Sequence, residues 1–189
     1  AQTSVEAAVT LHPEIKDNLD EIEAISISTH ESAIRIISKE GKLNNPADRD
    51  HCLQYMTAIG LLKGDLVAED YEDDVAEDPM IDKLREKMII EEDDRYTKEY
   101  LESDKRSIAN AIQIFFKDGT FTDKIEVEYP IGHRRRREQG IPLLIEKFER
   151  NLATQFSESR CSDINSLCSD QSKLESTTVN EFMNLFVME

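Results

Sequence analysis

The chain has 189 residues and carries 40 acidic side chains against 23 Lys and Arg, a net charge of −17. That length suits one domain with a real core. The charge would repel a phosphate backbone, which excludes a general nucleic-acid binder. No run approaches the ~20 apolar residues of a membrane span, and no signal-peptide pattern opens the chain.

Taken in chain order, Val5, Ala8, Val9 and Leu11 form an apolar helical stripe that starts almost at the first residue. Such a start is expected of a cleaved or excised piece. Ile25 and Ile27 alternate with small polar partners and predict a strand over 24–28. Residues 32–37, with Ile34, Ile36 and Ile37, suit a strand or a short helix, and residues 41–46 form a loop on turn chemistry. Asp48 is the expected N-cap of a helix reaching Leu62, with Leu53, Met56, Ile59 and Leu62 on its buried side. Gly60 weakens that helix and Gly64 ends it.

The acidic tract from Glu69 to Asp94 reads as a solvated face. Its Glu69–Asp74 stretch lacks the glycine and the spacing of a calcium-binding EF-hand loop. A helix is expected over Met80–Lys87 and a strand over Met88–Ile90. Asp118-Gly119 between the apolar runs 107–116 and 121–129 is a hairpin signal. Pro142 is expected to open a helix to Phe156 along Leu143, Leu144, Ile145, Phe148 and Leu152. Two further helices are expected over 162–167 and 179–187. The fold class that results is α+β: a small antiparallel sheet with a β-hairpin, covered by several helices. It spans residues 1–189 as a single domain, with a helical extension over 157–189.

Three cysteines, Cys52, Cys161 and Cys168, contain no C-x-x-C pair. They disfavour a disulfide scaffold, suggest a reducing compartment, and are too dispersed for zinc or iron–sulfur ligation. Cys161 and Cys168 are seven apart, share one helical face and are expected to serve in packing.

Two clusters carry chemistry. Asn44–Met56 concentrates amide, guanidinium, imidazole and phenol groups, and His51 and Tyr55, four apart, are expected to project from the same helical face and to meet one ligand. On spacing alone, Tyr55 is better explained as a core aromatic with a satisfied hydroxyl, and His51 as a surface or capping residue. The run Tyr129–Arg137 ends a strand with proline, glycine, His133 and four arginines, a set suited to carboxylates because guanidinium donors are planar and bidentate. On sequence physics alone a solvated turn explains it better than a carboxylate site, and a partner for the acids at 91–94 or a nuclear-localisation or nucleic-acid patch also fits.

The segments NNPADRDHCLQYM (44–56) and VEYPIGHRRRR (127–137) resemble signature stretches of the MmgE/PrpD family, to which 2-methylcitrate dehydratases belong. Shorter matches at 1–8, 29–37, 68–74, 105–111, 118–120, 140–142 and 179–181 keep the same order, and only residues 156–178 depart freely. The resemblance implies the C-terminal α+β domain of a lyase that removes water from 2-methylcitrate, or from citrate, in propionate catabolism. It implies an N-terminal all-helical domain that completes the active site, a homodimer when full length, no cofactor and no metal, and no nucleic-acid or membrane partner. The compartment would be the bacterial cytoplasm or the fungal mitochondrial matrix.

Set against that chemistry, His51 and Tyr55 become the expected proton-handling groups. Asn45, Arg49 and His133 become the expected substrate ligands, with Arg35 and Arg134 beside them. A histidine-bearing segment that family members carry just before the stretch matched by Ala1–Thr3 lies outside this sequence, so the chain alone is expected to be inactive. The alternative is a non-catalytic lid or interaction domain that docks on the helical domain or another partner.

Overall fold

In the computed structural model, which describes residues 1–188, the chain opens with α1 (Gln2–Ile15). The buried side of α1 is Thr3, Ser4, Ala7, Ala8, Leu11 and Ile15. Val5 and Val9 of the expected stripe are only half-buried. The two hydroxyl residues can be buried because each has a partner: Ser4 Oγ meets Thr57 Oγ1 at 2.8 Å, and Thr3 Oγ1 donates to the Ile108 carbonyl.

β1 (Ile22–Thr29) follows, longer than expected at both ends, with Ile22, Ile25, Ile27 and Thr29 facing the core. The ambiguous segment after it is helix α2 (Glu31–Ile37), because His30 Nδ1 accepts from the Ala33 amide and caps it. The helix expected from Asp48 to Leu62 is two helices, α3 (Pro46–Arg49) and α4 (Leu53–Lys63). Asn45, not Asp48, caps α3: its Oδ1 accepts from the Asp48 amide at 2.9 Å, and Pro46 takes the first turn. Cys52 is extended (φ −122°, ψ 110°) and breaks the run.

α5 (Asp73–Ala76) and α6 (Pro79–Glu86) lead into β2 (Met88–Glu92). α7 (Asp94–Leu101), which periodicity did not announce, is capped by Asp93. The acidic tract is therefore not uniformly a solvated face. Asp93 caps a helix, and Asp70 is buried, accepting from Lys63 Nζ at 2.6 Å and from the Val67 amide at 2.8 Å. β3 (Asn110–Phe116) and β4 (Ile125–Val127) are shorter than the runs that predicted them. Asp118-Gly119 makes the turn, with Gly119 at φ +85° where a side chain would be strained.

The sheet order is β2-β1-β3-β4. β1 pairs antiparallel with β3, and β3 with β4, but β2 joins β1 in parallel. The sheet is therefore mixed within the expected α+β class, because residues 30–87 form a long helical crossover rather than a hairpin. Register aligns Ile90, Ile27, Ile112 and Ile125 across the four strands, a row that buries with α1. On the opposite face Tyr96 of α7 packs on Ala109 and Ala111. α4 is buried almost all round, from Leu53 to Leu61, because it lies between α1 and α6.

The chain divides into two compact units, Ala1–Pro130 and the part from Ile131 onward. In the second, His133 caps a short 3-10 turn (Arg134–Arg136) that runs into α8 (Arg137–Ala153). Pro142 thus lies inside α8 rather than opening it, and has no N–H to offer the Glu138 carbonyl. α9 (Glu158–Cys168), α10 (Gln171–Ser176) and α11 (Val179–Asn184) follow. Leu152 and Ile164 are buried there, whereas Leu143, Leu144 and Ile145 of the expected stripe are about half exposed. Cys168 is exposed and only Cys161 is partly packed, so the pair does not share a buried face. No helix among the described residues is long and apolar enough to cross a membrane.

Candidate active site

The loop before α3 and the break between α3 and α4 set out the first cluster. Asn45 is exposed and spends its carbonyl oxygen as the α3 cap, leaving its amide nitrogen 3.4 Å from Asp48 Oδ2. Arg49 ends α3 almost buried, with 6 % of its side chain exposed. Its Nη1 donates to the Tyr71 carbonyl at 2.6 Å and its Nη2 to Asp73 Oδ1 at 2.7 Å, while its buried Nε has no partner.

His51 and Tyr55 do not share a helical face. His51 sits in the link between the two helices, largely exposed, with Nδ1 against the Asp50 carboxylate. A carboxylate can only accept, so the Nδ1 proton faces Asp50 and Nε2 is left outward. Tyr55 is buried in α4, and its hydroxyl donates to the Asp70 carbonyl at 2.7 Å. Burial pushes its phenol up to about 12, against the pull of the Arg49 and Arg85 charges. Its ring lies 6.3 Å from that of Tyr71. Arg35 is exposed on α2.

The other expected ligands belong to the second unit. His133 is half-buried and uses Nδ1 to accept from the Arg135 amide at 3.2 Å. Arg134 is exposed at the start of the 3-10 turn.

Arg49 and Tyr55 line a groove of about 350 Å³ together with Lys42, Asn44, Asp73, Glu77, Asp82 and Arg85. A second cavity of about 700 Å³ shares Lys42, Asp82 and Arg85 with it. Both lie in the size range of small-molecule sites. Arg85 was not legible as a site residue, since a basic side chain in the last turn of an amphipathic helix is ordinary. His30 was also missed. Its ring stacks on Tyr100 at 4.5 Å, and burial holds its imidazole below the usual range.

A mixed four-stranded sheet under helices, with near-buried arginines on a polar groove, defines an α+β domain. The family model for the MmgE/PrpD C-terminal domain matches residues 1–171, and the chain belongs to that family. It is 52 % identical over 191 residues to a 2-methylcitrate dehydratase of Escherichia coli O157:H7, which covers all of this chain and 40 % of that protein. A mitochondrial 2-methylcitrate dehydratase of Yarrowia lipolytica is 50 % identical over 190 residues, covering 99 % of this chain and 36 % of that protein. A 2-methylcitrate dehydratase-like protein of Aspergillus oryzae is 38 % identical, covering 98 % of this chain and 38 % of that protein. The chain thus spans about two fifths of the length of the curated relatives it matches.

Proposed function

We propose that this chain is the C-terminal part of a 2-methylcitrate dehydratase and supplies part of its active site. The observation that carries the reading is the match along the whole chain, at 52 % identity, to a relative of that activity. In the reaction a base takes the proton from the carbon next to a carboxylate, the C–H electrons form the double bond, and the C–O bond breaks. The hydroxyl departs as water with a proton from an acid, leaving 2-methyl-cis-aconitate. The polycarboxylate must be held by cations that remain in place as charge shifts.

His51 suits the proton transfer, because Asp50 orients its ring and Nε2 is open. Tyr55 suits it less, since its hydroxyl is already given to Asp70. We assign Tyr55 to positioning the segment that holds Arg49. Arg49 is the leading substrate ligand, with Asn45, Arg35, His133 and Arg134 as further ones. The remaining acid–base groups belong to the N-terminal helical domain implied by the family, within a homodimer. The compartment is the bacterial cytoplasm or, as for the Yarrowia relative, the mitochondrion.

The test is a chimera in which this chain replaces the matching part of the Escherichia coli relative. Formation of the enoate chromophore from 2-methylcitrate is expected from the chimera and not from this chain alone. A folded chimera that turns over no 2-methylcitrate overturns the reading.

The second reading, a non-catalytic lid that docks on a partner, draws on the exposed Ile141, Leu144 and Ile145 of α8. A chimera active with its own copy of α8 made polar at these positions, and unchanged in sedimentation, removes that reading.

A further inference from the structure

The groove beside Tyr55 holds two guanidiniums withdrawn from water and a free ammonium. Arg49 and Arg85 have only 6 % and 9 % of their side chains exposed. Arg85 Nη2 donates to the Gly41 carbonyl at 2.8 Å, which ties the last turn of α6 to the 41–44 loop. Each guanidinium has one carboxylate partner, and each partner lies at the surface: Asp73 is 79 % exposed and Asp82 67 % exposed. The buried Nε of both arginines makes no hydrogen bond. Lys42, exposed on the lip, has no ion pair among the described residues.

The fixed charges of this groove balance, with Lys42, Arg49 and Arg85 against Asp73, Glu77 and Asp82. The two signs differ in what they can do. The arginines are packed and cannot leave, whereas all three acids are exposed and can turn into water at little cost. Asp73 and Asp82 therefore stand where an incoming carboxylate would bind, and a guanidinium presents the same fork to either. A ligand with two or three linked carboxylates gains over single side chains, because its second contact is intramolecular.

We propose that this groove is a carboxylate-exchange site, in which a small di- or tricarboxylate seats on Arg49 and Arg85 in place of Asp73 and Asp82, with Lys42 taking a further carboxylate. The inference rests on the dehydratase reading only for the choice of a tricarboxylate as ligand, and it names Arg85 and Lys42 as specificity-determining contacts. Asp82 becomes an internal competitor for the ligand.

Calorimetric titration of citrate into this chain tests it. The parent is expected to bind saturably at one site. Arg85→Gln should weaken binding by about tenfold or more, the value of one charge-assisted contact. Lys42→Gln should weaken it several-fold, and Asp82→Asn should strengthen it, because the competitor is neutralised. Circular dichroism checks the fold of Arg85→Gln. Lys42→Gln and Asp82→Asn alter exposed side chains and decide the matter if that variant unfolds. No saturable binding by the parent overturns the proposal, as does unchanged affinity in Lys42→Gln and Arg85→Gln, or weaker binding in Asp82→Asn. The two readings separate cleanly. An active chimera whose citrate affinity ignores Arg85 sinks the groove alone, and Arg85-dependent binding with an inactive chimera sinks the dehydratase alone.

Discussion

The Tyr55 hydroxyl donates to the Asp70 carbonyl at 2.7 Å, and the next carbonyl along the chain, that of Tyr71, receives Arg49 Nη1 at 2.6 Å. Two neighbouring carbonyls thus tie the middle of α4 and the end of α3 to one turn. Tyr55→Phe keeps the ring and removes the donor, leaving a buried carbonyl unmet. The expected cost is about 1–2 kcal/mol, read as a lower urea midpoint with an unchanged slope. An unchanged midpoint would show that the hydroxyl does not hold this turn.

The same burial sets an alkaline limit. Tyr55 is pushed up to about 12 by burial, and Tyr71 and Tyr96 are raised by burial first, with the Asp50 and Asp70 charges adding at Tyr71 and the Glu126 hydrogen bond at Tyr96. An unfolded tyrosine ionises near ~10. A folded pKa above the unfolded one means stability fully present below ~10 and lost as pH climbs toward ~12. Of five tyrosines, these three should ionise only with unfolding. A phenolate titration that runs ahead of the loss of helical circular dichroism for all five would refute this.

Gly60 reads in the sequence as a weak point of a helix, and the structure gives it a different meaning. A Cβ at Gly60 would lie 2.9 Å from Ala8 Cβ and 3.3 Å from the Val5 carbonyl, so the missing side chain lets α1 and α4 approach. Gly60→Ala gains about 1 kcal/mol of helix propensity but overpacks the contact at a cost of about 1–3 kcal/mol. Net destabilisation is expected in thermal unfolding, and a stabilised variant would show that the helices separate freely.

Gly60 illustrates what a sequence discloses. Elements with a simple local signal were legible: β1 from its isoleucines, the turn from Asp118-Gly119. What was not legible depended on long-range partners. The Asp48–Leu62 helix failed because Asn45 captures the Asp48 amide and Cys52 is held extended, and neither event has a periodic signature. β2 joins β1 in parallel only after a crossover of residues 30–87, which no local pattern encodes. At the groove, Arg49 was singled out through its motif, but Arg85 lines it only because the fold brings α6 against the 41–44 loop.

The break between α3 and α4 separates the two candidates for proton transfer and makes their roles distinguishable. His51 is exposed, with the Asp50 carboxylate as its hydrogen-bond partner, so His51→Gln removes the imidazole while leaving the core intact. Tyr55 is buried, and its loss acts through the turn it holds. In the chimera, His51→Gln should lower kcat by about 10²-fold or more with an unchanged melting temperature. Tyr55→Phe should instead lower the melting temperature and raise KM, since it loosens Arg49, with a smaller change in kcat. If His51→Gln keeps normal kcat while Tyr55→Phe abolishes it at full stability, the hydroxyl must leave Asp70 when substrate binds, and the proton belongs to Tyr55.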